Sequence, residues 1–196
     1  MRLSERLALA ILLCSRLWAA TPPIEISLAH GSAAETETRD QLQRLLRTYD
    51  LSGWVWTRKV MIEERAIPHS HPVLALNTRH VKDDSLLLST FVHEEYHWYE
   101  TAHPRETAAA IAELKTKFPG LPVGGQDGAA DEESSYLHLI VCYAEWQKMK
   151  TLVGAERARE VMVFWAGDHY RAIYRLVLDN EAVVGDIVKR QGLLDK

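Results

Sequence analysis

Residues 84–98 have the sequence DSLLLSTFVHEEYHW. Asp84 stands where a helix can begin, and apolar side chains then recur at helical spacing. The apolar lining consists of Leu86, Leu87, Phe91 and Trp98. The pattern predicts a helix over residues 84–101.

The second half of this helix contains His93-Glu-Glu-Tyr-His97, which is an HExxH motif. Histidines four positions apart project from the same face of a helix, so both imidazoles can bind one Zn²⁺. Glu94 follows the first histidine and is placed to reach a water molecule on that metal. The motif therefore predicts a metal site on this helix.

The chain before this helix predicts one helix and a small sheet. Ser32 and Glu35 form a possible capping box ahead of an apolar face with spacings of three, four and seven, and Gly53 would stop that helix. The apolar face consists of Leu42, Leu45, Leu46 and Tyr49. Residues 54–62 and 73–76 are rich in aromatic and β-branched or aliphatic residues, which is typical of strands.

The chain after this helix is predicted to be almost entirely helical. The expected helices span residues 105–117, 131–152, 155–165, 169–178 and 180–191. Four glycines and two prolines exclude a helix from residues 119–128, which would be a plain connector or a lid over the substrate. With no internal repeat, the expected fold is α+β, with one domain over residues 21–196.

The composition is that of an ordinary globular protein. The 196 residues are 47% apolar and 26% charged, which excludes a disordered segment, a coiled coil and a collagen-like fibre. The net charge is −4, so the chain lacks the basic footprint of a nucleic-acid-binding protein. We expect no nucleic-acid partner.

The first twenty residues have the pattern of a secretory signal peptide. Arg2 and Arg6 precede a short apolar run that ends at Cys14, and Ala19 and Ala20 follow. A buried helix or a retained membrane anchor would be the alternatives, although eight apolar residues are too few to span a bilayer comfortably. Cleavage would leave a secreted or periplasmic chain with a net charge of −6 and no stable membrane span.

The exported chain would contain a single cysteine, Cys142, so no disulfide framework is expected. Cys142 is predicted to be a core residue, because free cysteine is among the most buried residue types. The stability of the domain would then come from its core or from a metal ion.

The order of a helix, a small sheet, the HExxH helix and a helical C-terminal half resembles the zincin metallopeptidases. The specific resemblance covers only residues 93–97. It implies that His93 and His97 are zinc ligands, that Glu94 is the general base and that a third ligand lies elsewhere. One Zn²⁺ per chain and a peptide or protein substrate are the expectations that follow.

Three residues are candidates for the third ligand. Glu145 is favoured, because a glutamate on a later helix is the gluzincin arrangement. His138 is the alternative: it shares a helix face with Glu145, and the two could instead form a buried ion pair without metal. His103 has the metzincin spacing of ten residues after His93, but Glu100 replaces the glycine at which a metzincin helix turns.

An oxyanion donor is also expected if the chain hydrolyses peptides. His169 and Tyr170 are the first candidates and Tyr143 is another, although His169 and Tyr170 could equally be a helix cap and a core residue. The leading expectation is an exported zinc metallopeptidase of the gluzincin type. The alternative is a secreted binding or inhibitory protein with a structural or vestigial metal site.

Overall fold

The computed structural model describes residues 23–194, so the predicted signal segment and Cys14 lie outside the described part. The elements in chain order are β1 (Glu25–Leu28), α1 (Ala33–Thr48), β2 (Lys59–Ile62), β3 (Leu74–Leu76), α2 (Asp84–Ala102), α3 (Pro104–Lys117), α4 (Glu132–Val153), α5 (Ala155–Asp168), α6 (Arg171–Asp179) and α7 (Glu181–Arg190). The described chain therefore has three short strands followed largely by helices.

The three strands form one parallel sheet in the order β1-β2-β3. Ile26 pairs with Val60, and Val60 pairs in turn with Leu74. All three residues of β3 are buried, as expected where a parallel sheet is covered by helices. The sequence patterns predicted β2 and β3 but missed β1.

The first predicted strand, residues 54–62, is shorter than expected, because its first half makes different hydrogen bonds. The backbone amides of Trp56 and Thr57 donate to the carboxylate of Glu95 on α2, at 2.7 and 3.0 Å. Residues 54–58 therefore contact α2, and only Lys59–Ile62 joins the sheet.

Helix α1 begins with the predicted capping box. The Ser32 hydroxyl accepts from the amide of Glu35, and the Glu35 carboxylate accepts in return from the amide of Ser32. The same carboxylate also accepts from the amides of Gly31 and Glu64. Glu35 thus connects the start of α1 to the segment that follows β2.

Helix α2 begins at Asp84, as predicted, and its N-cap is the preceding residue, Asp83. The Asp83 side chain accepts hydrogen bonds from the amides of Ser85 and Leu86. Asp84 instead forms an ion pair at 2.7 Å with Arg44 of α1, which holds the two helices together.

Helix α4 lies at the centre of the helical part and packs against α2, α3, α5, α6 and α7. Its buried residues surround the helix, as expected of a helix with apolar residues on all sides. His138 lies beside the HExxH histidines, whereas Glu145 contacts Ser89 near the start of α2. Helices α2 and α4 therefore run in opposite directions along this face.

The expectation of a mixed α and β fold with a small sheet and a helical C-terminal half is confirmed. Within residues 23–194, no helix is both long enough and apolar enough to cross a membrane.

Candidate metal centre

The HExxH motif lies in the middle of α2, as the sequence predicted. His93 is buried with 6% of its surface exposed, and Glu94 is buried with 7% exposed. The rings of His93 and His97 lie 5.1 Å apart, centroid to centroid. The helix therefore presents both imidazoles to the same buried region.

His138 of α4 completes a group of three histidines. Its ring centroid lies 5.6 Å from that of His93 and 5.0 Å from that of His97. One ring nitrogen from each of the three histidines lies within 4.8 Å of the others. Three imidazoles at such distances can bind one metal ion and leave an open coordination position.

The second nitrogen of each ring already has a partner. Nδ1 of His93 lies 2.9 Å from the Glu145 carboxylate, and Nδ1 of His97 lies 3.1 Å from the Glu100 carboxylate. Nδ1 of His138 donates to the backbone carbonyl of Ser134 at 2.7 Å. A hydrogen bond from Nδ1 fixes the tautomer of each ring and leaves Nε2 free to bind a metal.

Glu145, the expected third ligand, lies beside the histidine group and is not one of the three residues whose ligand atoms converge there. Its carboxylate accepts from the hydroxyls of Ser89 and, at 2.8 Å, Tyr174, in addition to the contact with His93. Burial raises the pKa of Glu145 to about 7, against the hydrogen bonds from Ser89 and Tyr174, which lower it. Glu145 is thus placed to orient His93.

A second buried group with short separations contains His93, Cys142 and Glu145. Cys142 is fully buried, as predicted, and burial raises the pKa of its thiol well above the ordinary value. A protonated thiol is a poor metal ligand, because the thiolate is the form that binds. The group of three histidines is therefore the better candidate.

Burial also affects the protonation of the three histidines. It lowers the pKa of His93 and of His138 well below the ordinary value, so both rings are neutral near pH 7. Burial alone would lower the pKa of His97 as well, but the hydrogen bond to Glu100 and the nearby acidic charges together outweigh burial and raise the pKa. Neutral imidazoles are the form that binds a metal.

Three carboxylates surround the histidine group. Burial raises the pKa of Glu94 to about 7 and raises the pKa of Glu100 as well as that of Glu145. Ionised carboxylates in a buried region need a compensating positive charge. The donor set, with three imidazoles beside buried acids, therefore fits a divalent cation such as Zn²⁺.

A cavity of about 670 Å³ opens onto this group and is lined by His93, Glu94, His97 and His138, among other residues. A second cavity of about 530 Å³ adjoins it, and both are lined by Ser70 and His97. Open space therefore borders His97 in both cavities.

Tyr170 and His169 both line the larger cavity, as their predicted role as donors requires. The Tyr170 ring lies 4.2 Å from the ring of His138. Burial, with smaller contributions from Cys142 and Glu94, raises the pKa of Tyr170 to about 12, so its hydroxyl stays protonated. Tyr143, the other candidate, packs against Gly185 of α7 instead.

His169 is held at the edge of the cavity by a chain of polar contacts. Its Nδ1 lies 2.9 Å from the carboxylate of Asp168, which also accepts a hydrogen bond at 2.8 Å from Arg79. This network orients the ring, although 44% of the His169 side chain is exposed.

His103, the metzincin alternative, lies at the junction of α2 and α3. Its Nδ1 lies 2.7 Å from the backbone carbonyl of Tyr99, and its ring contacts the Tyr99 ring. Neither group of close ligand atoms found in residues 23–194 contains His103. The helix continues through Glu100, whose side chain turns inward to His97.

Sequence reasoning missed Ser89, Glu100 and Tyr174 as members of this site. Ser89 lies four residues before His93 and Glu100 lies three residues after His97, so helical spacing places both beside the motif. Tyr174 contacts Glu145 only through the packing of α6 on α4, which no local pattern indicates.

No model of a known protein family matches the chain, and comparisons with curated proteins and with solved structures find no match. The chemistry of the site is therefore inferred from its own side chains.

Proposed function

We propose that this chain is a zinc-dependent peptidase whose metal is held by His93, His97 and His138. The proposal is carried by one observation: three buried imidazoles converge, and each has its Nδ1 occupied by an acceptor. This is the second-sphere arrangement that metal-binding histidines adopt in proteins. It replaces Glu145 with His138 as the third ligand and gives Glu145 a positioning role.

Each protein group then has a separate task. Zinc, when bound, would lower the pKa of a water molecule and polarise the carbonyl to be cleaved. Glu94, with a pKa near 7, takes up a proton from the attacking water and passes it to the leaving amine. The protonated hydroxyl of Tyr170 donates a hydrogen bond to the carbonyl oxygen as negative charge develops there.

The shape of the site supports a peptide substrate. The two cavities share Ser70 and His97 in their linings, so a substrate longer than one residue has space beside the candidate metal centre. Three histidines also leave a coordination position open, whereas a closed structural site would need a fourth protein ligand. Glu145 is engaged with Nδ1 of His93, so it is poorly placed to close the site.

The zincin-like arrangement and export of the chain are parts of the same proposal. The zincin-like arrangement is supported by the HExxH helix, which packs between a small sheet and the later helix that would supply the third ligand. The basic and apolar pattern of residues 1–20 supports a secreted or periplasmic location.

The substitution Glu94→Gln tests the mechanism. The variant should bind zinc like the wild type, because Glu94 is not a ligand, but hydrolysis of a mixture of unstructured peptides should fall by about 100-fold or more. Metal content, thermal unfolding and peptide cleavage are measured together. Glu156→Gln, an exposed change at the start of α5, serves as the control. Full activity in Glu94→Gln would exclude the proposed mechanism.

A further inference from the structure

Tyr170 has an unusual backbone conformation for a large side chain. Its φ of 48° and ψ of 36° lie in the left-handed region, and within residues 23–194 it is the one non-glycine residue with positive φ. Such a conformation costs free energy and persists only where the surroundings impose it. Some other part of the molecule must therefore hold Tyr170.

The contacts that hold the backbone of Tyr170 in place come from residues 119–128, here called the glycine loop. Helix α6 follows Tyr170 directly and has no side-chain cap. Its first amides, those of Arg171 and Ala172, donate to the carbonyls of Gln126 and Asp127 at 2.9 and 3.2 Å. The glycine loop thus supplies the N-terminal cap of α6 with its own backbone.

The glycine loop is itself held by a hydrogen bond within the loop and by hydrogen bonds to α4. The amide of Gly128 donates to the carbonyl of Gly124. The hydroxyl of Ser135, in the first turn of α4, donates to the carbonyl of Pro122 at 2.8 Å and accepts from the amide of Ala129 at 3.0 Å. Because α4 also carries His138, the glycine loop connects the backbone of Tyr170 to the helix that supplies a proposed ligand.

Gly128 allows the two ends of the glycine loop to approach each other closely. A Cβ atom at this position would lie 2.0 Å from the carbonyl oxygen of Pro122, which is far inside van der Waals contact. The neighbouring group is backbone and cannot rotate away. Any side chain at residue 128 must therefore displace the glycine loop.

We infer that the glycine loop is a positioning element that holds Tyr170 in its left-handed conformation and so places the Tyr170 hydroxyl for catalysis. This inference rests on the proposed function. Of the two roles expected from the sequence, a connector or a lid, the hydrogen bonds favour neither: the loop acts as a fixed support. The residue through which it acts is Tyr170.

The first experiment compares Gly128→Ala with Gly167→Ala. Gly167 lies in α5 with open space around it, so the same chemical change should be harmless there. Gly128→Ala should retain zinc and lower kcat by about 10-fold or more, with KM little changed, because a small displacement of a catalytic group is costly. A kcat equal to that of Gly167→Ala would overturn the inference.

A double-mutant cycle with Tyr170→Phe separates positioning from general damage. Tyr170→Phe alone should lower kcat by roughly 100-fold, as expected for loss of an oxyanion donor. Adding Gly128→Ala to it should then have little further effect, since residues that act through one group are not additive. An equal loss from Gly128→Ala in both backgrounds would contradict the inference.

A third readout does not depend on activity. Hydrogen exchange of the Arg171 and Ala172 amides, followed by NMR, should be slow in the wild type and at least about 10-fold faster in Gly128→Ala. If Gly128→Ala does not fold, Ser135→Ala serves in its place. It should also speed exchange of these two amides and lower kcat, but by less than is expected for Gly128→Ala. Unchanged exchange at these two amides would overturn the inference. Absence of peptidase activity in the wild type, by contrast, would defeat the proposed function and with it the catalytic role of Tyr170, whereas the exchange measurement would still test whether the glycine loop holds Tyr170.

Discussion

His138 and Glu145 lie two turns apart on one face of α4, yet they contact the HExxH helix in different ways. His138 brings its ring to the rings of His93 and His97, whereas Glu145 reaches Nδ1 of His93. A carboxylate on Nδ1 makes the imidazole a better donor at Nε2 and fixes its orientation. At the residue scale, the proposed ligand, His138, and the proposed orienting group, Glu145, are therefore different residues.

These different positions predict unequal effects of Glu145→Gln and His138→Ala on zinc affinity. Glu145→Gln should weaken zinc binding by about 10- to 100-fold, the usual cost of losing such a partner. His138→Ala should weaken it further, because a ligand is lost. Competition with a zinc chelator measures both values.

His103→Ala is the matched control for this comparison, because His103 lies outside the histidine group and should bind zinc like the wild type. The roles of the two residues would be reversed if Glu145→Gln abolished zinc binding while His138→Ala preserved it.

The sequence identified the HExxH residues because their spacing alone places them on one helix face. It also placed His138 and Glu145 on a common face of a later helix. The resemblance to gluzincins favoured Glu145, but the spacing of the two residues could not decide between them, since the choice depends on the rotation and direction of α4 against α2. The tertiary packing of α4 determines both.

At the scale of single elements, Glu35 stabilises the start of α1. Its side chain is fully buried and accepts from the amides of His30, Gly31 and Glu64, and it contacts the His30 ring. Burial alone would raise the pKa of Glu35, but these hydrogen bonds outweigh it and lower the pKa to about 2. The start of α1 therefore depends on the ionised form.

A pH dependence of stability follows from this lowered pKa. The Glu35 pKa is about 2 in the folded protein, against 4.5 for an ordinary glutamate such as that of the unfolded chain, so its ionised form stabilises the fold above pH 4.5. That contribution should be lost as the pH falls from about 4.5 to 2. Denaturant unfolding of wild type and Glu35→Gln should show a stability difference that is full near about pH 6 and shrinks over this window.

Glu37→Gln, at an exposed position on the same helix, should behave like the wild type throughout. A difference between wild type and Glu35→Gln that stays constant down to about pH 2 would contradict the proposed role of the Glu35 carboxylate.

The helices were predictable because their apolar spacing and caps are local features, as Ser32 and Glu35 show for α1. Strand β1 was missed because its four residues, Glu-Ile-Ser-Leu, are too few to form a pattern, and its pairing with β2 is non-local. Residues 54–58 carry the composition of a strand, but the buried carboxylate of Glu95 captures their amides. Such competition between side chain and strand is visible only in three dimensions.

At the scale of the whole molecule, α4 connects the helical core to the candidate metal centre. It packs on five other helices, supplies His138 to the histidine group and places Glu145 against Nδ1 of His93. Three acidic side chains with raised pKa values, Glu94, Glu100 and Glu145, are buried around that group. A bound divalent cation would favour the ionised forms of these acids and would bind the folded chain alone, so folding and metal binding should be linked.

The most direct test of a zinc site is the metal content of the purified chain, measured by elemental mass spectrometry. We predict about one zinc ion per wild-type chain, lost in His97→Ala and His138→Ala but kept in Glu94→Gln and His103→Ala. Folded wild-type protein that holds no zinc, even after zinc is added, would contradict the proposed metal site. The HExxH motif would then be vestigial, and a secreted binding or inhibitory protein would replace the peptidase as the leading hypothesis.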